Sequence, residues 1–243
     1  MKRSLVIFSF LLSFAGLTAA FAVGDAGEGY ARPTFKEVVQ TVVMLGGLDI
    51  NKSNIADEYG RLVYCRLYRE NYKNDFEWNK IRRQYVARVK EKKEPFRILY
   101  EVTGVFKLGR YDFERQSYPL SDETAMINVG SVALIDPTVS TSYCLKTEQT
   151  YKFPNDVSVA FKKPITVKDM KVPLGNLQKV NARMDEIKGY DGQVYGRIRM
   201  RVLDVLNMNE KTSRAELRGE VTAVDFFLDK DMTKMVGSAQ LKK

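Results

Sequence analysis

The sequence contains no histidine. Imidazole titrates near neutral pH, which is why His-based zinc sites, Ser-His-Asp triads and Cys-His nucleophile pairs all use it. None of these three kinds of site is available to this chain. Carboxylate acid/base chemistry, a Ser-Lys pair and an oxygen-only cation site remain. The sequence therefore favours a non-enzymatic protein, for which we expect no cofactor and no bound metal.

Cysteine is also scarce, since only Cys65 and Cys144 are present. They form no CxxC motif, and their spacing matches no metal site. In an oxidising compartment an even number of cysteines predicts a disulfide, which would close a loop of about 80 residues and contribute roughly 4 kcal/mol. Two buried thiols that pack as small apolar side chains are the alternative.

A long apolar run occurs only at the N-terminus. Two basic residues precede a run that extends to Phe14, and residues 20–22 read Ala-Phe-Ala, an A-x-A cleavage motif. Residues 1–22 are therefore predicted to be a cleaved signal peptide, too short to span a bilayer as a finished helix. No cysteine lies near the cleavage motif, so we expect a periplasmic or secreted protein without a lipid anchor. Charges interrupt every later apolar stretch, and no transmembrane segment is predicted in the mature chain.

Residues 23–32 are rich in glycine and polar side chains and are predicted to be a flexible linker. Apolar residues at helical spacing then predict helices within residues 33–94. The first helix is expected to begin with a capping box of Thr34 and Glu37 and to end at Gly46-Gly47. The second is expected to begin at a Ser53 cap. The third is expected to begin at Asn74 and to end before Pro95.

From Phe96 onward the apolar period changes from 3.6 to 2, which predicts strands. Two long alternating runs, 193–208 and 214–228, flank a polar stretch and predict an antiparallel hairpin. Further strands are predicted at 96–108, 110–119, 125–135, 141–152 and 156–167, and residues 173–187 suit a short helix.

The predicted fold class is α+β, with N-terminal helices at about 33–94 followed by a mainly antiparallel sheet that ends in a long hairpin. We expect the helical part and residues 95–243 to form one compact unit. Two domains with a boundary near Pro95 are the alternative, although no linker of Pro/Gly/Ser composition supports a division there.

One pattern, V-x-G-x-apolar-basic-apolar-x-x-x-D-apolar, occurs at residues 102–113 and again at 194–205. It indicates either a duplicated β unit or the convergence of two amphipathic strands. The shared glycine is typical of a bend or bulge, and the shared aspartate of a turn at a strand end.

Two short segments carry a resemblance to a known group of proteins. Residues 108–113, Leu-Gly-Arg-Tyr-Asp-Phe, and residues 75–78, Asp-Phe-Glu-Trp, resemble exported bacterial proteins that are grouped as domains of unknown function. The resemblance implies residence in the bacterial envelope. It implies no activity and no site residues.

The net charge of +9 favours anionic partners such as phospholipid head groups, lipopolysaccharide or acidic proteins, with solubility as the alternative reason for it. The third predicted helix carries a cationic face, on which Arg82, Arg83 and Lys90 are candidate binding residues. A solvated helix that packs its apolar stripe into its own protein is the alternative.

A second basic candidate is the row of Arg197, Arg199 and Arg201, which strand alternation places on one face at about 6.8 Å intervals. Guanidinium groups in a row can bind phosphates, carboxylates or an anionic glycan. Alternatively, the opposite strand of the hairpin neutralises the row across the sheet, through Glu216 and Glu220 around Arg218.

Other candidates are less specific. Asp112 with Glu114, or Asp122 with Glu123, would suit acid/base chemistry on a glycan but equally suit surface turns. Asp225, Asp229 and Asp231 lack the glycine and the distal glutamate of an EF-hand. Tyr64, Tyr68, Tyr72 and Phe76 recur at four-residue steps, as either a carbohydrate platform or a core face.

The sequence therefore predicts an exported, non-enzymatic envelope or secreted protein that binds an anionic envelope component or another protein through a basic face. Nucleic acid is not an expected partner, because the chain is predicted to leave the cytoplasm. A carboxylate-dependent hydrolase acting on a cell-wall or extracellular glycan is the alternative. A third possibility is an assembly protein whose exposed hairpin edge pairs with another chain.

Overall fold

The structure is a computed structural model that describes residues 29–135, Cys144 and residues 153–241. The predicted signal peptide, most of the predicted linker and all of the strand predicted at 141–152 except Cys144 lie outside the described residues. Within the described part, the helices are α1 (Phe35–Met44), α2 (Ser53–Val63), α3 (Cys65–Asn71), α4 (Asp75–Lys90) and α5 (Leu174–Asp185). None of these helices is both long enough and apolar enough to cross a membrane.

Side-chain caps fix the starts of α1 and α4. The Thr34 hydroxyl accepts the Glu37 amide at 3.3 Å, and the Asn74 side chain accepts the Glu77 amide at 3.2 Å, so both predicted starts are confirmed. The prediction that Ser53 caps the second helix is wrong, because Lys52 is the N-cap residue and provides no side-chain hydrogen bond. A turn closed by the Lys52 amide on the Asp49 carbonyl, at 3.1 Å, brings the chain into the helix one residue earlier.

The second predicted helix is divided into α2 and α3 at Tyr64, whose backbone leaves the helical region at φ −111° and ψ 37°. The Tyr64 ring stacks on Tyr85 at 5.2 Å, and its hydroxyl donates a hydrogen bond to the buried Glu94 carboxylate. These tertiary contacts coincide with the break, which the helical spacing of the sequence does not reveal.

The strands form one curled, mainly antiparallel sheet, so the α+β class is confirmed, as is the final hairpin. The strand order is β1-β6-β7-β8-β5-β2, and β4 pairs with both β3 and β7. Their bounds are β1 (Leu99–Lys107), β2 (Ser117–Pro119), β3 (Met126–Ile135), β4 (Asp156–Val167), β5 (Asp169–Lys171), β6 (Gln193–Asn209), β7 (Arg214–Phe227) and β8 (Met235–Ser238).

Strand β7 pairs with β6 along one edge and has two different neighbours along its other edge. Its first half pairs in parallel with β4, from Arg214 to Gly219, and its last residues pair antiparallel with β8. Strands β1 and β2 stand at opposite ends of the strand order, yet a bridge between Leu108 and Leu120 joins the residues that directly follow them. The sheet therefore curls back on itself.

The repeated sequence pattern lies in two strands that pair with each other. Gly104 in β1 is the register partner of Gly196 in β6, so the two copies run antiparallel about this glycine pair. A Cβ at position 196 would lie 2.7 Å from Phe106 Cδ2, so the ring occupies the space that a side chain would need. Asp112 lies in a turn as expected, whereas Asp204 lies within β6 and not at a strand end, because β6 continues to Asn209.

Helix α1 contributes seven buried residues to a core shared by helices and sheet. A polar node joins it to β1, since Thr41 Oγ1 lies 2.6 Å from the Tyr100 hydroxyl and donates to the Arg97 carbonyl. Thr41 and Tyr100 are both fully buried, and burial raises the pKa of Tyr100 to about 12. The node satisfies polar groups that would otherwise be costly inside the core.

A disulfide joins Cys65, the first residue of α3, to Cys144, with a Cα–Cα distance of 5.3 Å. The bridged residues are separated by 79 positions along the chain. Closing so long a loop lowers the entropy of the unfolded chain, which stabilises the folded state in the chain-entropy account.

Replacing both cysteines by serine (C65S/C144S) is expected to lower the free energy of unfolding by roughly 4 kcal/mol, measured by urea denaturation. Adding a thiol reductant to the wild type should give the same loss, and adding it to the variant should change nothing. A wild type that is reduced, as shown by thiol titration, yet keeps its full stability would contradict the expectation.

Buried tyrosines make the fold sensitive to alkaline pH. Burial raises the pKa of Tyr190, like that of Tyr100, to about 12, and also raises the pKa of Tyr59, Tyr64 and Tyr85. An exposed tyrosine in the unfolded chain titrates near pH ~10 and so loses its proton first. The contribution of these tyrosines to the free energy of unfolding should therefore be fully present below about pH 10 and should fall as the pH rises toward 12. Tyrosinate absorbance and circular dichroism should change together there, whereas complete titration near pH ~10 with the fold intact would refute the linkage.

Candidate anion-binding site

A groove of about 330 Å³ runs between the start of α2 and the outer side of α4. The three predicted binding residues of the third helix, Arg82, Arg83 and Lys90, all line it. Polar groups of Asn51 and Ser53 line it as well. Its apolar residues are Ile50, Ala56, Val86 and Ala87. The groove thus combines basic groups with an apolar floor.

Arg82 is held in place by an acid on α2. Its Nη1 lies 3.0 and 3.1 Å from the two carboxylate oxygens of Asp57. The same carboxylate accepts the Trp78 indole N–H at 3.3 Å. Arg82 therefore positions α4 on α2 and adds little uncompensated charge to the groove.

The uncompensated charge of the groove comes from Arg83 and Lys90. Both side chains are exposed, and neither forms an ion pair with any residue that the structure describes. Asp49 lies close enough to feel the charge of Lys90: hydrogen bonds from Asn51 and the charges of Lys52 and Lys90 lower the pKa of this carboxyl. Asp49 is thus committed to its own turn, with Asn51 donating to it at 2.9 Å.

The arginine row on β6 has a different environment. The buried Asp225 carboxylate contacts Arg199 and also lies 3.5 Å from Arg197, which is 3.8 Å from Glu101. Arg201 pairs with Glu220 at 3.9 Å. Each guanidinium of the row therefore has an acidic partner, as the cross-strand interpretation expects.

The partners in the row are only partly those suggested by the sequence. Glu220 is one of them. Arg218 instead pairs with Asp204, and neither Arg218 nor Glu216 forms an ion pair with the row among the described residues. Bulges between Arg199 and Met200, and again after Val202, shift the hairpin register. Asp225 was missed as a partner, although counting back from the hairpin turn places it within one residue of the position opposite Arg197.

The region that contains the groove is where a known family matches the chain. A domain of unknown function, DUF4852, matches residues 52–178, about half of the chain. The chain belongs to this family. The match confirms the resemblance to proteins grouped as domains of unknown function, and it supplies no activity. No curated protein and no solved structure matches the chain.

The carboxylate pairs considered for hydrolysis lie in turns of this DUF4852 protein. Asp112 accepts the Arg115 amide at 2.9 Å and pairs with the Arg115 guanidinium at 3.6 Å, which is the geometry of a capped turn. Glu114, Asp122 and Glu123 are exposed. None of the four lines the groove beside α4.

A second, polar groove of about 520 Å³ contains two carboxylates, Asp156 and Glu216. Asp156 pairs with Arg214 at 2.7 Å. In the parallel register of β4 and β7, Asp156 lies opposite Arg214, and Glu216 follows two residues later on the same face. The two acids are therefore neighbours on one sheet face and do not oppose each other across a cleft.

The oxygen-only cation site considered for Asp225, Asp229 and Asp231 does not assemble among the described residues. Asp225 faces arginines, and the Asp229 carboxylate accepts the amides of Thr233 and Lys234 at 2.9 and 2.6 Å, which close the turn before β8. These bonds lower the pKa of Asp229 even though desolvation acts in the opposite direction. No group of three or more Cys, Asp or Glu side chains suited to a metal ion occurs in the described part of the chain.

The aromatic residues at four-residue steps divide between core and surface. Tyr64 and Tyr68 are partly buried, and Tyr68 packs edge-on against Trp78 at 5.0 Å. Tyr72 and Phe76 remain exposed at the corner between α3 and α4. The first two therefore belong to the helical core, and the last two form an aromatic corner at one end of α4.

Removing the central acid of the arginine row should destabilise the fold. In Asp225→Asn, two partly buried guanidinium groups lose the nearly buried carboxylate that they share, and we expect a loss of about 3–5 kcal/mol in urea unfolding. Glu220→Gln is the matched control, because its pair with Arg201 is exposed and should contribute less than about 1 kcal/mol. Equal effects of the two variants would contradict this account of the row.

Proposed function

We propose that the protein is exported and acts as a non-enzymatic binding protein that docks an anionic partner in the groove between α2 and α4. One observation carries the proposal. Arg83 and Lys90 lie without an acidic partner among the described residues, beside an apolar floor, whereas the arginines of β6 are charge-balanced. Of the two basic features of the chain, the groove is the one with charge available for a partner.

The groove residues indicate the chemistry of the docked group. A guanidinium offers paired N–H donors to a phosphate or carboxylate, and an ammonium adds a mobile point charge. Asn51 and Ser53 line the same groove and can donate further hydrogen bonds. The apolar floor of Ala56 and Val86 suits a short aliphatic stretch beside the anion. The expected partner group is therefore a phosphate or carboxylate that carries an adjacent apolar chain.

Two features support the exported setting. The first is the basic, apolar and A-x-A pattern of residues 1–22, which is typical of a cleaved secretory signal. The second is the Cys65–Cys144 disulfide, since such bonds persist mainly in oxidising compartments. An envelope setting would also supply phospholipids and acidic polymers as partners for a chain of net charge +9.

Hexyl phosphate is a suitable probe, because it combines a phosphate with a short apolar chain. We expect it to bind more tightly than inorganic phosphate or hexanol, measured by titration with NMR detection. The charge-reversal variant R83E/K90E should bind it at least ~10-fold more weakly, because charge-assisted hydrogen bonds are lost.

The matched control is K162E/K163E, which makes the same change in net charge at two exposed lysines of β4. It should bind hexyl phosphate like the wild type. Equal weakening by both variants would show that only overall charge matters, and binding that is unaffected by R83E/K90E would refute the groove as the site.

A further inference from the structure

The exposed face of α4 is a continuous stripe that extends beyond the groove. Residues 76, 80, 83, 87 and 90 follow one another at steps of four, three, four and three, so they share one side of the helix. All five side chains are exposed. They are Phe76, Lys80, Arg83, Ala87 and Lys90. At a rise of about 1.5 Å per residue the stripe is roughly 21 Å long.

No acid lies on the stripe itself. Asp75 and Glu77 are each about 100° from Phe76 around the helix axis, one on either side. Glu77 contacts Lys80 only at 3.9 Å. Glu91 follows the last turn and pairs with Lys93 at 2.6 Å. The stripe therefore presents three cations of one sign in a line.

An aromatic corner ends the stripe. Phe76 is 72% exposed and Tyr72 is 40% exposed, so two large aromatic side chains lie near one another on the surface. The Lys73 ammonium lies 5.7 Å from the centre of the Tyr72 ring. Aromatic side chains bordered by cations are typical of protein segments at a membrane–water interface.

We propose that α4 docks flat on an anionic lipid surface, with its three cations on phosphate head groups and Phe76 and Tyr72 inserted at the interface. This inference rests on the proposed function. The lipid phosphate would be the anion that Arg83 and Lys90 bind, and the acyl chain would be the apolar part that lies in the groove. Charge complementarity and an exposed aromatic anchor on the same line favour a lipid surface over an acidic protein. Each basic residue near such a surface strengthens binding about fivefold, so attachment should be reversible and sensitive to salt.

The test is co-sedimentation of the exported form, residues 23–243, with vesicles. Vesicles of phosphatidylcholine with phosphatidylglycerol should bind the protein at low salt, and pure phosphatidylcholine vesicles should not. R83E/K90E should weaken binding by about 30-fold or more, since two favourable charges are removed and two unfavourable ones are added. K162E/K163E should weaken it far less, and Phe76→Ser should weaken it several-fold without changing its dependence on salt.

The outcomes separate this inference from the proposed function. Binding of hexyl phosphate without any preference for phosphatidylglycerol vesicles would overturn lipid docking and leave the groove as a site for a soluble anion. Lipid docking would also be overturned if Phe76→Ser left vesicle binding intact and polyglutamate of equal total charge displaced the vesicles. That result would favour an acidic polypeptide as the partner. Absence of binding to both hexyl phosphate and anionic vesicles would refute both proposals.

Discussion

The close approach of α4 to α2 at Gly60 is the contact on which the helical surface depends. A Cβ at this position would lie 2.7 Å from the Trp78 ring and would also clash with the Tyr85 hydroxyl. Without that Cβ, Tyr85 reaches the Ala56 carbonyl and donates to it at 2.8 Å, and Trp78 reaches Asp57. The aromatic side of α4 is thereby fixed inward, which fixes its cationic side outward and sets the width of the groove.

Counter-charges then decide which basic residues remain available. Arg82 is held by Asp57, and Arg88 lies 3.2 Å from the buried Glu94. Glu94 is nearly buried, where an unpaired carboxylate would be costly, and Asp57 joins α2 to α4. The same logic applies on the sheet, where Asp225 lies between two arginines of β6. Runs of basic residues that look equivalent in the sequence therefore differ in their surroundings. The arginines of β6 have acidic partners, whereas Arg83 and Lys90 on α4 form no ion pair with any residue in the described part of the chain.

Local signals predicted the parts of the fold that depend on neighbours along the chain. Caps at Thr34 and Asn74, the change from helical to strand period and the final hairpin all follow from residues within a few positions of each other. The placement of Arg83 and Lys90 on one side of α4 follows from the helical period in the same way. The break at Tyr64 and the parallel pairing of β4 with β7 depend on partners more than 20 positions away, for which single-sequence patterns carry no signal. Several bulges in the hairpin leave a net register shift of one residue, so counting back from the turn does not place Asp225 opposite Arg197.

The extent of the family match bears on which surface carries the function. Gly60, Asp57, Trp78 and the cations of α4 all lie within the matched residues 52–178, so the packing that creates the groove belongs to the family domain. The β6 arginines lie beyond the match, and their charges are already used to hold β6 and β7 together. The disulfide at Cys65 adds a covalent restraint at the start of α3, directly before the corner that exposes Tyr72 and Phe76. The docking surface that we propose would benefit from such a restraint, because a side chain that is already ordered loses less entropy on binding.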